Sequence, residues 1–242
     1  MKYGIISDIH GNLNALEATL FAIQKFKVDK LVCLGDIVGY GPQPNECVQL
    51  IQEISDIVLA GNHDHGVVGK LSLERFNRYA KAAIQWTQTT VTDESLDYLS
   101  ALKLTAAVDD LFFVHASPNE PIEWHYIMNV FDAEESFAAL RENICFVGHS
   151  HVPVIFTSQN DFFVNILFDY DVSIEQNKRY IINVGSVGQP RDLDARAAFA
   201  IYDTQTRTYQ LQRIDYDIND TQEKMRKAGL DHFLINRLQF GH

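Results

Sequence analysis

Six apolar runs in this chain each break off at a polar cluster: Tyr3 to Asp8, Leu31 to Asp36, Ile57 to Asn62, Leu111 to His115, Ile144 to Gly148 and Tyr180 to Gly185. Their spacing suits alternating strands and helices. Ligands collect at the carboxyl ends of strands in open α/β sheets, so strands ending in Asp, Asn, His and Gly are expected to converge on one site. Between the first two runs, Asn12 suits the cap of a helix whose Leu13, Leu16, Leu20 and Ile23 form a buried stripe. A second helix is expected from about Pro44. A third is expected over Asp132 to Arg141, with Asp132 and Glu135 forming a capping box.

After His151 the pattern changes. Val152 to Ser158, Ala197 to Asp203 and Thr208 to Asp215 read as strands of a second sheet with no helices between them. Gln222 to Leu238 carries apolar residues at helical spacing and is expected to pack as one helix on the body. Leu73 to Leu102 is helical in composition and lies between polar clusters, which suggests an inserted cap that shapes substrate access. With no repeat or linker, residues 1–242 are expected to form one domain of two stacked sheets flanked by helices.

A formal charge of -12 disfavours a protein that holds long duplex nucleic acid by its phosphates. It does not exclude a small phosphate substrate, because two divalent cations would add about +4 locally. Cys33, Cys47 and Cys145 lie far apart and are expected to be reduced thiols, which points to the cytoplasm. Met1 leads directly into Tyr3-Gly4-Ile5-Ile6, and no apolar window is long enough for a membrane span, so neither secretion nor membrane insertion is expected.

The polar clusters supply mixed nitrogen and oxygen ligands. Asp8 and His10 are expected on the same side of an extended segment, where both reach one ion. Asp36, in the glycine-rich stretch Gly35 to Pro42, is the natural bridging carboxylate. Asn62 offers an amide oxygen, while His63 faces the other way to donate a proton to substrate, with Asp64 available to orient it. His115 joins as one member of the set, and His149 and His151 can serve two neighbouring ions or one. Arg191 is a candidate phosphate clamp and Asn12 a second candidate substrate contact. His65 sits where it can line a pocket, whereas His125, His232 and His242 lack ligand spacing. Trp86, Trp124 and Tyr126 are large enough to stack on a base, although packing is the expected role of each.

Taken in order, Asp8-Ile9-His10, Gly35-Asp36, Gly61-Asn62-His63-Asp64, His115 and Gly148-His149-Ser150-His151 resemble the signature of the calcineurin-like metallophosphoesterases, over residues 3 to 192. Asp8 to Asn12, Gly39 to Pro42 and Asn183 to Arg191 are similar to a compact bacterial and archaeal phosphodiesterase-like branch. Some members of that branch are assigned as diadenosine tetraphosphate hydrolases or protein phosphatases. The resemblance implies a four-layer α/β/β/α sandwich and two divalent transition metals (manganese, iron, zinc, nickel or cobalt). Asp8, His10 and His151 would hold the first ion and Asn62, His115 and His149 the second, with Asp36 between them and His63 as general acid. Tyr40-Gly41 and Asp64 depart from the Asp-Arg-Gly and Glu of protein serine/threonine phosphatases. The expectation is a metal-dependent phosphoric ester hydrolase, a phosphodiesterase or phosphatase acting on a small phosphoester or nucleotide. The alternatives are a diadenosine polyphosphate hydrolase, a protein phosphatase, or a catalytically silent interaction module of the same fold.

Overall fold

The apolar runs form the centres of two six-stranded mixed sheets in a computed structural model that describes residues 1–159, 163–167 and 169–242. The first sheet runs β3 (Ile57–Val58), β2 (Lys30–Cys33), β1 (Lys2–Ile6), β11 (Ala197–Asp203), β12 (Thr208–Ile214) and β9 (Asp171–Ser173). The second runs β4 (Thr105–Val108), β5 (Leu111–Val114), β6 (Ile144–Val147), β10 (Arg179–Asn183), β7 (Val154–Gln159) and β8 (Phe163–Leu167). Strands β1, β2 and β3 are mutually parallel, as are β5, β6 and β10. The six marked strand ends therefore belong to two parallel triplets, one in each sheet. Eight helices accompany the sheets among the described residues: α1 (Leu13–Ile23), α2 (Pro44–Ile54), α3 (Asn62–Val67), α4 (Arg78–Thr90), α5 (Asp93–Ala101), α6 (Val130–Ala139), α7 (Ile218–Lys227) and α8 (His232–Arg237).

Strand alternation explains the layering, because successive side chains point to opposite faces. Tyr3 and Ile5 of β1, Phe113 of β5, Ile144 and Phe146 of β6, and Tyr180 and Ile182 of β10 meet between the sheets. Ile6 and Cys33 instead turn outward to a core built with Leu16, Ile23, Val48 and Ile51 of α1 and α2. On the far side, Cys145, Val147 and Ile181 pack against Ala133 and Phe137 of α6. Both faces of the central strands are covered, which is why these runs are apolar throughout instead of alternating with polar residues. The result is a four-layer α/β/β/α arrangement.

Several local expectations change. Val152 to Ser158, Ala197 to Asp203 and Thr208 to Asp215 do not form one sheet of their own: β11 and β12 pair as expected but join the first sheet beside β1, while β7 pairs with β10 in the second. The loop after β10 crosses between the layers, held by hydrogen bonds from Val187 N–H to the Ser7 carbonyl and from Gly188 N–H to the Asp8 carbonyl. The capping box at Asp132 is not formed. Asn129 caps α6 through bonds from the Phe131 and Asp132 amides, and the Asp132 carboxylate accepts from Met128 N–H. The expected helix over Gln222 to Leu238 is two helices, α7 and α8, joined by a turn in which Leu230 N–H bonds the Met225 carbonyl. Strands β4, β8 and β9 carry no signal in the sequence reading because they are short and poorly buried. Within Leu73 to Leu102, α5 packs on α2 and α3, and the start of α4 lies at a cleft described below. No helix among the described residues is long and apolar enough to cross a membrane.

Phe146 is fully buried between the sheets, with Phe113 stacked at 5.7 Å and Tyr202 at 5.6 Å between ring centroids. Phe146→Ala is expected to lower the unfolding free energy by about 3–5 kcal/mol through lost burial and a cavity that both sheets hold open. Phe21→Ala, at a site 67% exposed, is expected to stay within about 0.5 kcal/mol of the parent protein. Denaturant titration of both variants checks the pair, and equal effects would contradict the assignment of the core.

Candidate metal centre

Strand β1 ends at Ile6, so Asp8 and His10 do not project from an extended strand as the sequence pattern suggests. Each adopts a left-handed backbone conformation, with φ of 54° at Asp8 and 53° at His10. Asp36, His149 and His151 do the same, at 52°, 65° and 61°. Such conformations are uncommon outside glycine and cost of order 1 kcal/mol or more each, so their concentration at five polar residues marks a functional constraint. Hydrogen bonds between loops maintain them. Asp8 N–H bonds the Gly35 carbonyl, His10 N–H the Asp36 carbonyl and Gly11 N–H the Ile37 carbonyl. His149 N–H reaches the Asp8 carboxylate at 3.0 Å, tying the loop after β6 to the loop after β1.

Close approach requires two glycines. A Cβ at Gly61 would stand 2.0 Å from Asp36 Oδ1, and one at Gly148 would stand 2.0 Å from Ser7 Oγ and 2.5 Å from Asp8 Oδ2. No side chain fits at either place without displacing a carboxylate of the centre.

The kinks gather donor atoms into two groups. Asp8, His10, Asp36 and His151 bring candidate ligand atoms within 4.8 Å of one another, and Asp36, His115 and His149 do likewise. Asp36 belongs to both groups; its Oδ2 lies 3.6 Å from His10 Nε2 and 3.4 Å from His115 Nε2. Asp36 Oδ1 accepts the His63 amide at 2.8 Å. Asp8 Oδ1 lies 3.2 Å from His151 Nε2 and 3.9 Å from Nε2 of both His10 and His115. All these side chains are buried.

Protonation follows from the outer partners of each ring. Nδ1 of His10 faces the Val38 carbonyl at 3.1 Å, Nδ1 of His115 the Leu34 carbonyl at 3.2 Å, and Nδ1 of His151 the Gln189 carbonyl at 2.6 Å. A carbonyl only accepts, so each Nδ1 carries the proton, and in a ring that is neutral, as burial makes His10 and His151, a lone pair turns inward at Nε2. Nε2 of His10 and of His151 are 3.1 Å apart. Two lone pairs at that separation repel unless a cation lies between them. Asn62 Oδ1, His149 Nε2, His115 Nε2 and Asp8 Oδ1 are likewise buried without a hydrogen-bond partner. The interior is therefore a shell of Lewis bases with almost no donors, which fits divalent metal.

Burial holds His10 well below the usual imidazole range, lowers His151 and takes His149 down to about 3, keeping these rings neutral. Burial also opposes charge on Asp8 and Asp36, yet attraction to the imidazoles around them, of which His115 is the one that keeps a positive charge, holds both carboxyls low. His115 is the exception: burial would lower it, but Asp36 beside it and then Asp8 raise it to about 9. The two buried carboxylates thus attract positive charge to this position.

Asp64 does not orient His63. Its carboxylate accepts from the amides of Asp36 at 2.8 Å, Ile37 at 2.9 Å, Val38 at 3.2 Å and Gly61 at 2.9 Å, fixing the loop that presents Asp36. Burial, then the charge of Asp36, push this carboxyl up to about 7 against those amide bonds. His63 is set instead by its ring neighbours, Tyr40 at 4.5 Å and Phe76 at 5.3 Å between centroids. Its Nδ1 has no hydrogen-bond partner, and burial followed by the Arg191 charge lowers it to about 4.

A cleft of about 280 Å³ opens over the centre, lined by Asn62, His63, His149 and Arg191 among others. Asn12 is not part of it. Its Nδ2 donates to the Gly188 carbonyl, while its Oδ1 accepts from Ala15 N–H and Thr221 Oγ, so the expected substrate contact is a buried helix cap. Tyr126 stacks on His149 at 4.0 Å and stays half exposed at the rim, and Trp124 is buried beside it in contact with His65 and His115. Trp86 and His65 do not line the cleft. Phe76, Asn77 and the Arg75–Glu123 ion pair do, and the sequence reading passed over them because single side chains at loop ends carry no spacing pattern.

The calcineurin-like phosphoesterase superfamily domain matches residues 1–207 of the chain. An uncharacterised protein of Methanocaldococcus jannaschii is 39% identical over 241 residues, 98% of this chain and 97% of the relative. A crystal structure of a metallophosphoesterase from Sphaerobacter thermophilus superposes with a TM-score of 0.87 at 42% identity, over 100% of this chain and 99% of that one. A hypothetical protein of Pyrococcus horikoshii shares the fold, with a TM-score of 0.80 at 20% identity over 100% of this chain and 98% of its own.

The four amide bonds to Asp64 set a stability test. Asp64→Ala strands four buried N–H groups and is expected to cost at least about 3 kcal/mol of unfolding free energy. A loss under about 1 kcal/mol in denaturant titration would return Asp64 to a role other than holding this loop.

Proposed function

Because the chain belongs to the calcineurin-like phosphoesterase superfamily, we propose that it is a metal-dependent hydrolase that cuts a phosphoester in the cleft above Asp36. The observation that carries this reading is the pair of inward-facing nitrogens, His10 Nε2 and His151 Nε2, 3.1 Å apart beside two ionised carboxylates. Asp8, His10 and His151 would hold one ion and Asn62, His115 and His149 a second, with Asp36 shared between them. When bound, two divalent ions supply Lewis acidity toward phosphoryl oxygens and a water acidic enough to serve as nucleophile near neutral pH. Imidazole, carboxylate and amide oxygen together suit manganese, iron, cobalt, nickel or zinc.

The chain's own contribution is positioning and proton supply. Arg191 lines the cleft, its Nη2 steadied by Gln189 Oε1 at 2.9 Å, and is placed to meet a phosphoryl oxygen. His63 stands beside it on the first turn of α3, with its backbone anchored to Asp36 and its ring held between aromatic neighbours. That placement suits a general acid for the departing oxygen. A phosphoryl dianion in the cleft would favour the imidazolium and so offset the burial that keeps the free ring neutral. Burial also excludes competing water from the His63 ring.

His63→Ala is expected to lower kcat on an alkyl phosphoester, a poor leaving group, by about 10²–10⁴-fold. On a p-nitrophenyl ester, whose leaving group needs no proton, the loss should stay below about tenfold. Steady-state kinetics with metal content measured alongside distinguishes acid catalysis from loss of the centre. Equal kcat for variant and parent on the alkyl ester would remove His63 from the reaction.

A further inference from the structure

Three arginines pair with carboxylates: Arg75 with Glu123, Arg196 with Asp194 and Arg213 with Asp192. Arg78, Arg191 and Arg237 have no ion-pair partner among the described residues, yet all three line one cleft of about 460 Å³. They come from three separate parts of the chain, the start of α4, the loop after β10 and the end of α8. The cleft adjoins the metal centre, since Tyr40, Asn77 and Arg191 line both openings.

Aromatic faces hold these cations without neutralising them. The Arg78 guanidinium lies 4.4 Å from the Tyr79 ring centre, that of Arg237 5.2 Å from Phe233, and that of Arg191 5.7 Å from Tyr40. Tyr79 and Phe233 in turn stack on each other at 4.3 Å and 20°, joining α4 to α8. A ring face attracts a guanidinium without occupying its N–H donors, and the bonds these side chains do make, from Arg78 Nη2 to the Tyr79 hydroxyl and from Arg191 Nη2 to Gln189 Oε1, leave most of each donor fork available to an anion. Arg191 Nε is buried with no partner at all. Burial and the Arg191 charge both weigh on Arg237, lowering it to about 10, a repulsion that the fold tolerates and an anion would relieve. A favourable place at the C-terminus of α8 and a bond from Nε to the His242 carbonyl account for Arg237 alone. They leave the convergence of the three unexplained.

We propose that Arg78, Arg191 and Arg237 form a second anion subsite, which binds another phosphoryl group of the molecule whose scissile phosphate sits over Asp36. The substrate class is then a compound with two or more phosphates, such as a nucleoside polyphosphate, in preference to a single-phosphate ester. Arg191, facing both openings, is the hinge between the two phosphates. This assignment rests on the hydrolytic reading of the metal cleft, although the anion binding itself does not require turnover.

Two measurements separate the claims. Calorimetric titration of metal-free protein with pyrophosphate is expected to show binding that Arg78→Gln and Arg237→Gln each weaken at least tenfold, with thermal melts confirming that the variants fold. With manganese supplied, the ratio of kcat/KM for a nucleoside triphosphate over that for p-nitrophenyl phosphate is expected to fall at least tenfold in the same variants. Absence of pyrophosphate binding by the parent, equal binding by folded variants, or an unchanged ratio would each overturn the subsite. Pyrophosphate binding that the variants lose, in a protein that turns over no ester, would support the subsite while overturning the hydrolytic reading.

Discussion

Asp8 joins the loops that follow β1, β2, β6 and β10, and the site depends on that junction. Its amide donates to Gly35 and its carbonyl accepts from Gly188 N–H and Ser186 Oγ, while one carboxylate oxygen accepts from His149 N–H. Loops of both sheets are therefore bonded to one residue in a left-handed conformation. The remaining carboxylate oxygen has no donor and faces three imidazole nitrogens. What binds the layers together thus also leaves an unsatisfied negative group at their junction.

That group is costly by itself. A buried ionised carboxylate loses several kcal/mol of hydration, and two of them together lose more. Five left-handed residues add their own strain. The protein offsets part of this with backbone hydrogen bonds, most densely at Asp64, where four amides converge. No internal donor offsets the facing nitrogens of His10 and His151. Divalent cations are the species that satisfy carboxylates, imidazole lone pairs and an amide oxygen at once, which links the architecture to metal-assisted chemistry.

Much of this was legible in the sequence, because the strands that carry the site are covered on both faces and so appear as unbroken apolar runs. Each run stops where burial must give way to chemistry, and the stops name Asp8, Asp36, Asn62, His115 and His149. Other features could not be read that way. Alternation along a strand wrongly places Asp8 and His10 on one extended face, since the left-handed turns that bring them together have no period. The destination of Asp64 depends on amides 26 to 28 residues earlier in the chain, and strand assignment after His151 depends on a crossover fixed by tertiary hydrogen bonds. Asn12 caps α1 as its place before the Leu13 stripe suggests, and that bond together with the one to Gly188 leaves it no part in the cleft. The cluster of Arg78, Arg191 and Arg237 is invisible until α4 and α8 stack through Tyr79 and Phe233.

The two clefts divide the labour of recognition. In the proposed function the inner one would carry the reacting groups, and the outer one, rimmed by unpaired arginines, would select by charge what reaches them. The inner one depends on Asp36 presenting one oxygen to His10 and His115 together. Metal stoichiometry therefore tests the account most directly: metal-free protein is titrated with manganese, and bound metal is counted by elemental analysis for the parent and for Asp36→Asn. Two ions per chain in the parent, with at least one lost in the variant, is the predicted result. A parent that saturates at one ion, or a variant that retains two, would contradict it.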